Sequence, residues 1–180
     1  MFEPNIELRG FTEELISLNG GNPESIIVNV CVGAEPSSVK FYVSPTSYLS
    51  SLDRDHAAQE GRSVPMTTID DYVADAADQR RFGVMKIDVE GAEIEVLKGA
   101  QHSIASFRPA LIIEIQPNNL EGLDGFLEAR EYQGFGIVEK TRRLMVPVSQ
   151  LQNSDAPPAN FLYLPRECRV LSRDMAEVVR

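Results

Sequence analysis

The chain has 180 residues, 43% hydrophobic and 24% charged, with a formal net charge of −10 and a pI near 4.7. These values fit one globular domain and exclude long disorder. The acidic balance speaks against a nucleic-acid-coating protein, which needs a basic face, and against electrostatic docking on anionic lipid. No apolar run approaches the ~18–20 residues of a bilayer span, and Met1-Phe2-Glu3-Pro4 does not open a signal peptide. Cys31 and Cys168 are too few and too distant for a disulfide framework or a zinc site. The expectation is a soluble, reduced, cytoplasmic domain over residues 1–166, with a tail or short helix at 167–180 and no nucleic-acid or membrane partner.

In chain order, Phe2-Glu3 reads as the end of a strand. Asn5 then caps a helix whose stripe is Leu8, Phe11, Leu15 and Leu18, stopped at Asn19-Gly20. Ile26 to Val32 is β-branched and apolar, as a strand covered on both faces would be. Val39 to Val43 forms a second strand, and residues 44–63 read as a loop. Thr68-Ile69-Asp70-Asp71 resembles a capping box opening a short helix with Ile69, Tyr72, Val73 and Ala76 inward. Val84 to Asp88 is a strand ending in a carboxylate. One helix then carries Ile94, Leu97, Ala100 and Ile104 on a single face. Ala110 to Glu114 is the next strand, and Pro117 to Arg130 is helical. Phe135 to Glu139 and Asn160 to Leu164 lack a helical crossover, so they should pair antiparallel. Leu171 to Arg180 is a terminal helix or frays. Short apolar runs alternating with amphipathic stretches predict an α/β fold with a mostly parallel, Rossmann-like sheet and an antiparallel C-terminal pair.

Three apolar strands end in acids: Glu3, Asp88 and Glu114. In a parallel sheet with helical crossovers the C-terminal strand ends share one rim, where ligands bind, so these residues are expected to converge. An acid at a strand end can accept hydrogen bonds from both hydroxyls of a nucleoside ribose, a reading that suits Glu3. An acid between strand and helix also stabilises the helix N-terminus by about 0.3–1 kcal/mol, which is the competing account of Asp88 and Glu90. Glu114, followed by Ile115-Gln116-Pro117, is less readily a cap and could instead be an idle surface charge.

His56 lies in a polar loop and His102 on a helix surface, no serine or cysteine sits in a nucleophile elbow, and no phosphate-binding glycine loop with lysine occurs. Cys31, within an apolar strand, reads as a small core residue. Carboxylates are therefore the credible acid–base groups. A divalent metal on Asp88, Glu90 and Glu114 would suit hard oxygen ligands, but no sequence-local cluster supports it.

Lys86-Ile87-Asp88-Val89-Glu90-Gly91-Ala92-Glu93, continuing to Val96-Leu97-Lys98-Gly99-Ala100, closely resembles the signature of the FkbM-type methyltransferases, a branch of the class I S-adenosylmethionine-dependent enzymes. Phe2-Glu3-Pro4-Asn5 resembles that family's second-strand element, and Asn29-Val30-Cys31-Val32-Gly33 its third strand, with Cys31 where alanine is usual. Val64 to Asp71 resembles its short helix before the fourth strand, and Arg108-Pro109 through Ile115 its fifth strand. The resemblance runs from residue 2 to about 164. It implies S-adenosylmethionine as cofactor and methylation of a hydroxyl on a sugar or polyketide-like small molecule. By the same resemblance Glu3 and Asn5 would serve the cofactor, with Glu3 on its ribose, and Gly33 and Ala34 would approach the adenine. Asp88 and Glu90 would face the transferred methyl and the acceptor. Ser50 and Ser51, in a loop from Tyr48 to Leu52, would close over the substrate, with Glu114 beside them.

The family also has an earlier strand and an Asp-x-Gly-type glycine turn. In this sequence the only adjacent glycines before residue 90 are Gly20-Gly21, which read as the end of a helix. The expectation is a fold entered at the second strand, binding S-adenosylmethionine weakly or not at all by itself. A second copy or partner chain would then cover the bared sheet edge. The competing function is a catalytically inactive binding or assembly module.

Overall fold

The computed structural model describes residues 1–22, 25–42, 61–75, 81–137, 145–151 and 158–168. The readings that involve Ser50, Ser51 and the rest of Tyr48 to Leu52, His56, Ala76 and the C-terminal residues 171–180 fall outside them.

Met1 to Glu3 runs beside Val28 in an isolated parallel bridge, with Val28 N–H on Met1 O (2.9 Å) and Glu3 N–H on Val28 O (3.0 Å). Asn5 caps as expected: its Oδ1 accepts from Glu7 N–H at 3.1 Å, opening a 3₁₀ turn, Ile6–Leu8, that continues into α1, Arg9–Leu18. Gly20 (φ +66°) closes the helix, with Gly20 N–H on Ser17 O and Gly21 N–H on Ile16 O. This is the paired bonding of a Schellman turn, and it requires the left-handed backbone that glycine supplies. The predicted stripe forms but does not pack: Phe11 is 61% and Leu18 74% exposed.

The first sheet has the order β1-β3-β2, where β1 is Cys31–Val32, β2 Ser37–Phe41 and β3 Arg62–Thr67. Strand β1 runs parallel to β3 and β2 antiparallel to it. The long strand expected over 26–32 shrinks to the Val28 bridge and two residues, and Ile26 is exposed. Strand β3 replaces the end of the expected loop. Its Pro65 sits opposite Ser38 of β2. Thr67 O accepts from Gly33 N–H on the β1 side. With the two-residue alternation of a strand, the nitrogen of Pro65 faces that same side, beyond the first residue of β1, where no ladder donor is needed.

Helix α2, Ile69–Asp75, starts as predicted, with Thr68 Oγ1 accepting from Asp71 N–H at 2.9 Å. The second sheet has the order β4-β5-β8-β6-β7, built from β4 Val84–Ile87, β5 Ala110–Glu114, β6 Tyr132–Ile137, β7 Met145–Pro147 and β8 Asn160–Pro165. Only β4–β5 is parallel in this sheet. The architecture is thus mixed α/β in two sheets rather than mostly parallel. No described helix crosses between β6 and β8, so β8 returns antiparallel and inserts between β5 and β6.

The single helix expected after β4 is two, α3 (Glu93–Lys98) and α4 (Gln101–Phe107). They break at Gly99-Ala100, where a Cβ on Gly99 would run into the Gly33 carbonyl oxygen. After β5 a 3₁₀ turn, Pro117–Asn119, leads into α5, Leu120–Glu128. Leu97, Ile104, Leu111, Ile113, Leu123 and Leu127 are fully buried in one core, worth about 1.5–3 kcal/mol each by apolar burial. The two sheets meet at α2 and α4. Asp70 N–H donates to Gly99 O, and the Asp70 carboxylate accepts from His102 N–H (2.9 Å) and Ser103 N–H (2.8 Å), capping α4 from another helix.

Candidate active site

Residues Val84 to Ile87 alternate in burial, which turns Lys86 to the exposed face and Ile87 into the core. The β4–β5 register pairs Ile87 with Ile113, so the next residues, Asp88 just past β4 and Glu114 at the end of β5, stand side by side. Lys86 Nζ lies 3.1 Å from Asp88 Oδ2 and 3.9 Å from Glu114 Oε2. After Asp88 the chain turns sharply. Ala92 N–H donates to Val89 O at 2.9 Å, and Gly91 at the third turn position has φ +92°. That is the backbone of a type II turn, and it demands glycine there. Glu90 stands exposed at the tip.

A cavity of about 160 Å³ lies between the two strand ends, walled by Asp88, Val89 and Glu90 on one side and Glu114, Ile115 and Gln116 on the other. The cavity is smaller than the ~300–1,000 Å³ that ligand pockets commonly span. Three exposed carboxylates to one ammonium leave its mouth negative and hospitable to a cation.

Glu3 lies apart from this cavity. It belongs to the bridge beside the three-stranded sheet, and its Oε1 accepts from Asn5 N–H at 2.7 Å while its carbonyl accepts from Asn29 Nδ2 at 3.0 Å. Asp88 and Glu114 thus line one cavity, whereas Glu3 is not among its lining residues and sits at an isolated bridge outside both ladders. Glu3 Oε1 thus meets the backbone of the residue that caps the helix start. Asn5 itself is buried and spends Oδ1 on the helix start. Gly33 is buried, its amide is bonded to Thr67 O, and an added Cβ would press on the Met66 sulfur. Its smallness serves packing against Met66 and Gly99. Ala34 is half-buried next to it. Burial, and secondly the Glu3 charge, push the Cys31 thiol up to about 11, in keeping with a core role. His102 is exposed and its backbone serves the α4 cap.

The sequence model of the family described as "Methyltransferase FkbM domain" matches residues 1–137. The chain belongs to the FkbM methyltransferase family. The match covers β4, β5 and the cavity between them and ends with β6. A crystal structure of methyltransferase FkbM from Methylobacillus flagellatus KT superposes over 91% of this chain with a TM-score of 0.55 and 20% identity. It shares the fold, and this chain spans 35% of its length. No curated protein matches.

Two residues in or beside this cavity were not singled out from the sequence. Lys86 was legible as an alternation partner of Asp88, two residues on along a strand. Glu93, 2% exposed, was hidden at the start of a helix, where acids are ordinary. Among the described residues no group of three or more His, Cys, Asp or Glu is arranged to hold a metal ion, and no helix is long and apolar enough to cross a membrane.

Proposed function

We propose that this chain serves S-adenosylmethionine-dependent methylation of a hydroxyl on a small molecule of the sugar or polyketide-like class. The observation that carries the reading is the meeting of Asp88 and Glu114 around Lys86 at the mouth of the β4–β5 cavity. The donor set fits the cationic end of such a cofactor, with Asp88, Glu90 and Glu114 offering oxygens to a positive charge. Bound cofactor supplies an electrophilic methyl group on a sulfonium. Glu114 orients the acceptor hydroxyl, and Asp88 takes its proton on Oδ1, since Oδ2 is held by Lys86 Nζ. Lys86 fixes the rotamer of Asp88 and keeps the two neighbouring carboxylates from repelling each other. Glu3, beside the three-stranded sheet, and Ala34, just after β1, are assigned to the nucleoside.

Labelled S-adenosylmethionine with a panel of glycosides and hydroxylated small molecules tests the reading. Asp88→Asn should lower turnover by ~10²–10⁴-fold with the circular dichroism unchanged, the range of a lost general base. A variant with near-normal turnover would remove Asp88 from the mechanism.

The competing reading, a binding or assembly module, is favoured by the outer edge of β4, which has no strand partner among the described residues. Calorimetric titration of the full chain with S-adenosylhomocysteine separates the two. Micromolar binding sustains the enzyme, and silence with retained fold sustains the module.

A further inference from the structure

The Glu93 carboxylate is buried and makes no ion pair among the described residues. An unpaired buried carboxylate is costly, and only its hydrogen bonds offset that cost. Its two oxygens reach in different directions. Oε1 accepts from Gly91 N–H at 2.8 Å, inside the turn that presents Asp88 and Glu90. Oε2 accepts from Asn119 Nδ2 at 3.3 Å, on the 3₁₀ turn that follows Glu114 and Gln116. Asn119 is itself fixed, its N–H donating to Gln116 O at 2.9 Å. The side chain also lines the cavity whose opposite walls it ties.

We propose that Glu93 is a positioning residue that spans from the β4 turn to the β5 turn and so sets the separation of Asp88 and Glu114. On the β4 side the backbone ladder cannot do this alone, because Asp88 lies one residue beyond the last paired position, Ile87, whereas Glu114 is still held by its pairing with Asn160 of β8. The kinetic part of this proposal rests on the methyltransfer reading above, whereas the structural part does not.

The structural arm uses amide hydrogen exchange on the full chain. Asn119→Ala should speed exchange of the Gly91 amide by ~10-fold, the loss of about one hydrogen bond's constraint, while the amides of Leu97 and Ile104 keep their wild-type protection. Unchanged exchange at Gly91 would overturn the proposal whatever the enzyme does. The kinetic arm uses Glu93→Gln, which keeps the acceptor for Gly91 but sets an amide NH₂ against that of Asn119. Turnover should fall by ~10²-fold, as expected for an ångström-scale misplacement, with KM within about twofold, since Asp88, Glu90 and Glu114 are unchanged and Glu93 is buried. Adding Asn119→Asp returns a carboxylate to the other end of the same contact and should recover most of the rate. Failure of the double variant to exceed the single one while both stay folded would also overturn it. A wild-type chain without turnover would refute the methyltransfer reading and leave the exchange result to decide the link itself.

Discussion

The five-stranded half and the three-stranded half are stabilised very differently. The first buries a continuous core in which Leu97, Ile104, Leu111, Ile113, Leu123 and Leu127 lose all contact with water. The second has a small cluster of Cys31, Phe41 and Val64, and beside it a helix, α1, whose apolar stripe faces solvent. Burial scales with the number of layers an element is pressed between. A half with helices laid on its sheet can stand alone, while the other gains order from its neighbour. The junction carries that dependence through Asp70, Gly99 and the edge-to-face contact of Phe2 with Tyr72 at 4.8 Å.

The contrast can be broken at its strong side first. Leu97→Ala should destabilise the chain by about 2–5 kcal/mol in chemical denaturation, because a fully buried side chain leaves a cavity. A loss below about 1 kcal/mol would mean that this core is loosely packed. Asp70→Ala comes next, at about 0.5–2 kcal/mol, the range for losing a cap. Its mark should be selective, with exchange rising in α2 and in the three-stranded sheet before it rises at Ile113.

A smaller effect concerns Arg108, whose φ of +51° ends α4 in a left-handed cap and aims the guanidinium at Glu167, Arg130 O and Glu131 O. Arg108 holds the Glu167 carboxyl down to about 2 from the ordinary 4.5. A depressed carboxylate stabilises the fold above its ordinary value and loses that contribution as pH falls from about 4.5 toward 2. Because Glu167 is exposed, the effect is modest. Acid unfolding of wild type and Glu167→Gln should therefore differ near neutral pH and converge at the acid end. A constant difference across that range would assign the stabilisation to packing. The smallest change belongs to the weak half: Phe11→Ser should stay within about 0.5 kcal/mol, since the ring is already in water. A large loss would show that something covers the stripe in solution.

The parts legible in the sequence were those where local chemistry and tertiary fate agree. An apolar run closed by Asp88 and Asn5 before a helix both declare themselves through nearest neighbours. Strand β3 did not, because Pro65 reads as a strand breaker unless the side on which its nitrogen lies is known. The break between α3 and α4 was masked by periodicity, since Leu97, Ala100 and Ile104 keep helical spacing across Gly99. Amphipathicity named the apolar face of α1 correctly but is silent on whether anything covers it. Glu3 was placed on a shared rim by assuming one sheet. Two ladders, a property of long-range pairing, replace that one sheet, and Glu3 does not line the cavity beside Asp88 and Glu114.

Pro65 also bears on how this acidic chain behaves at high concentration. A strand that offers an uninterrupted row of donors and acceptors templates the addition of further chains, and a missing donor ends the row. With its ring nitrogen on the side where β1 starts late, β3 offers one donor fewer to any strand added there. The residue that obscured β3 in the sequence thus leaves the thinner of the two sheets one ladder donor short on its β1 side.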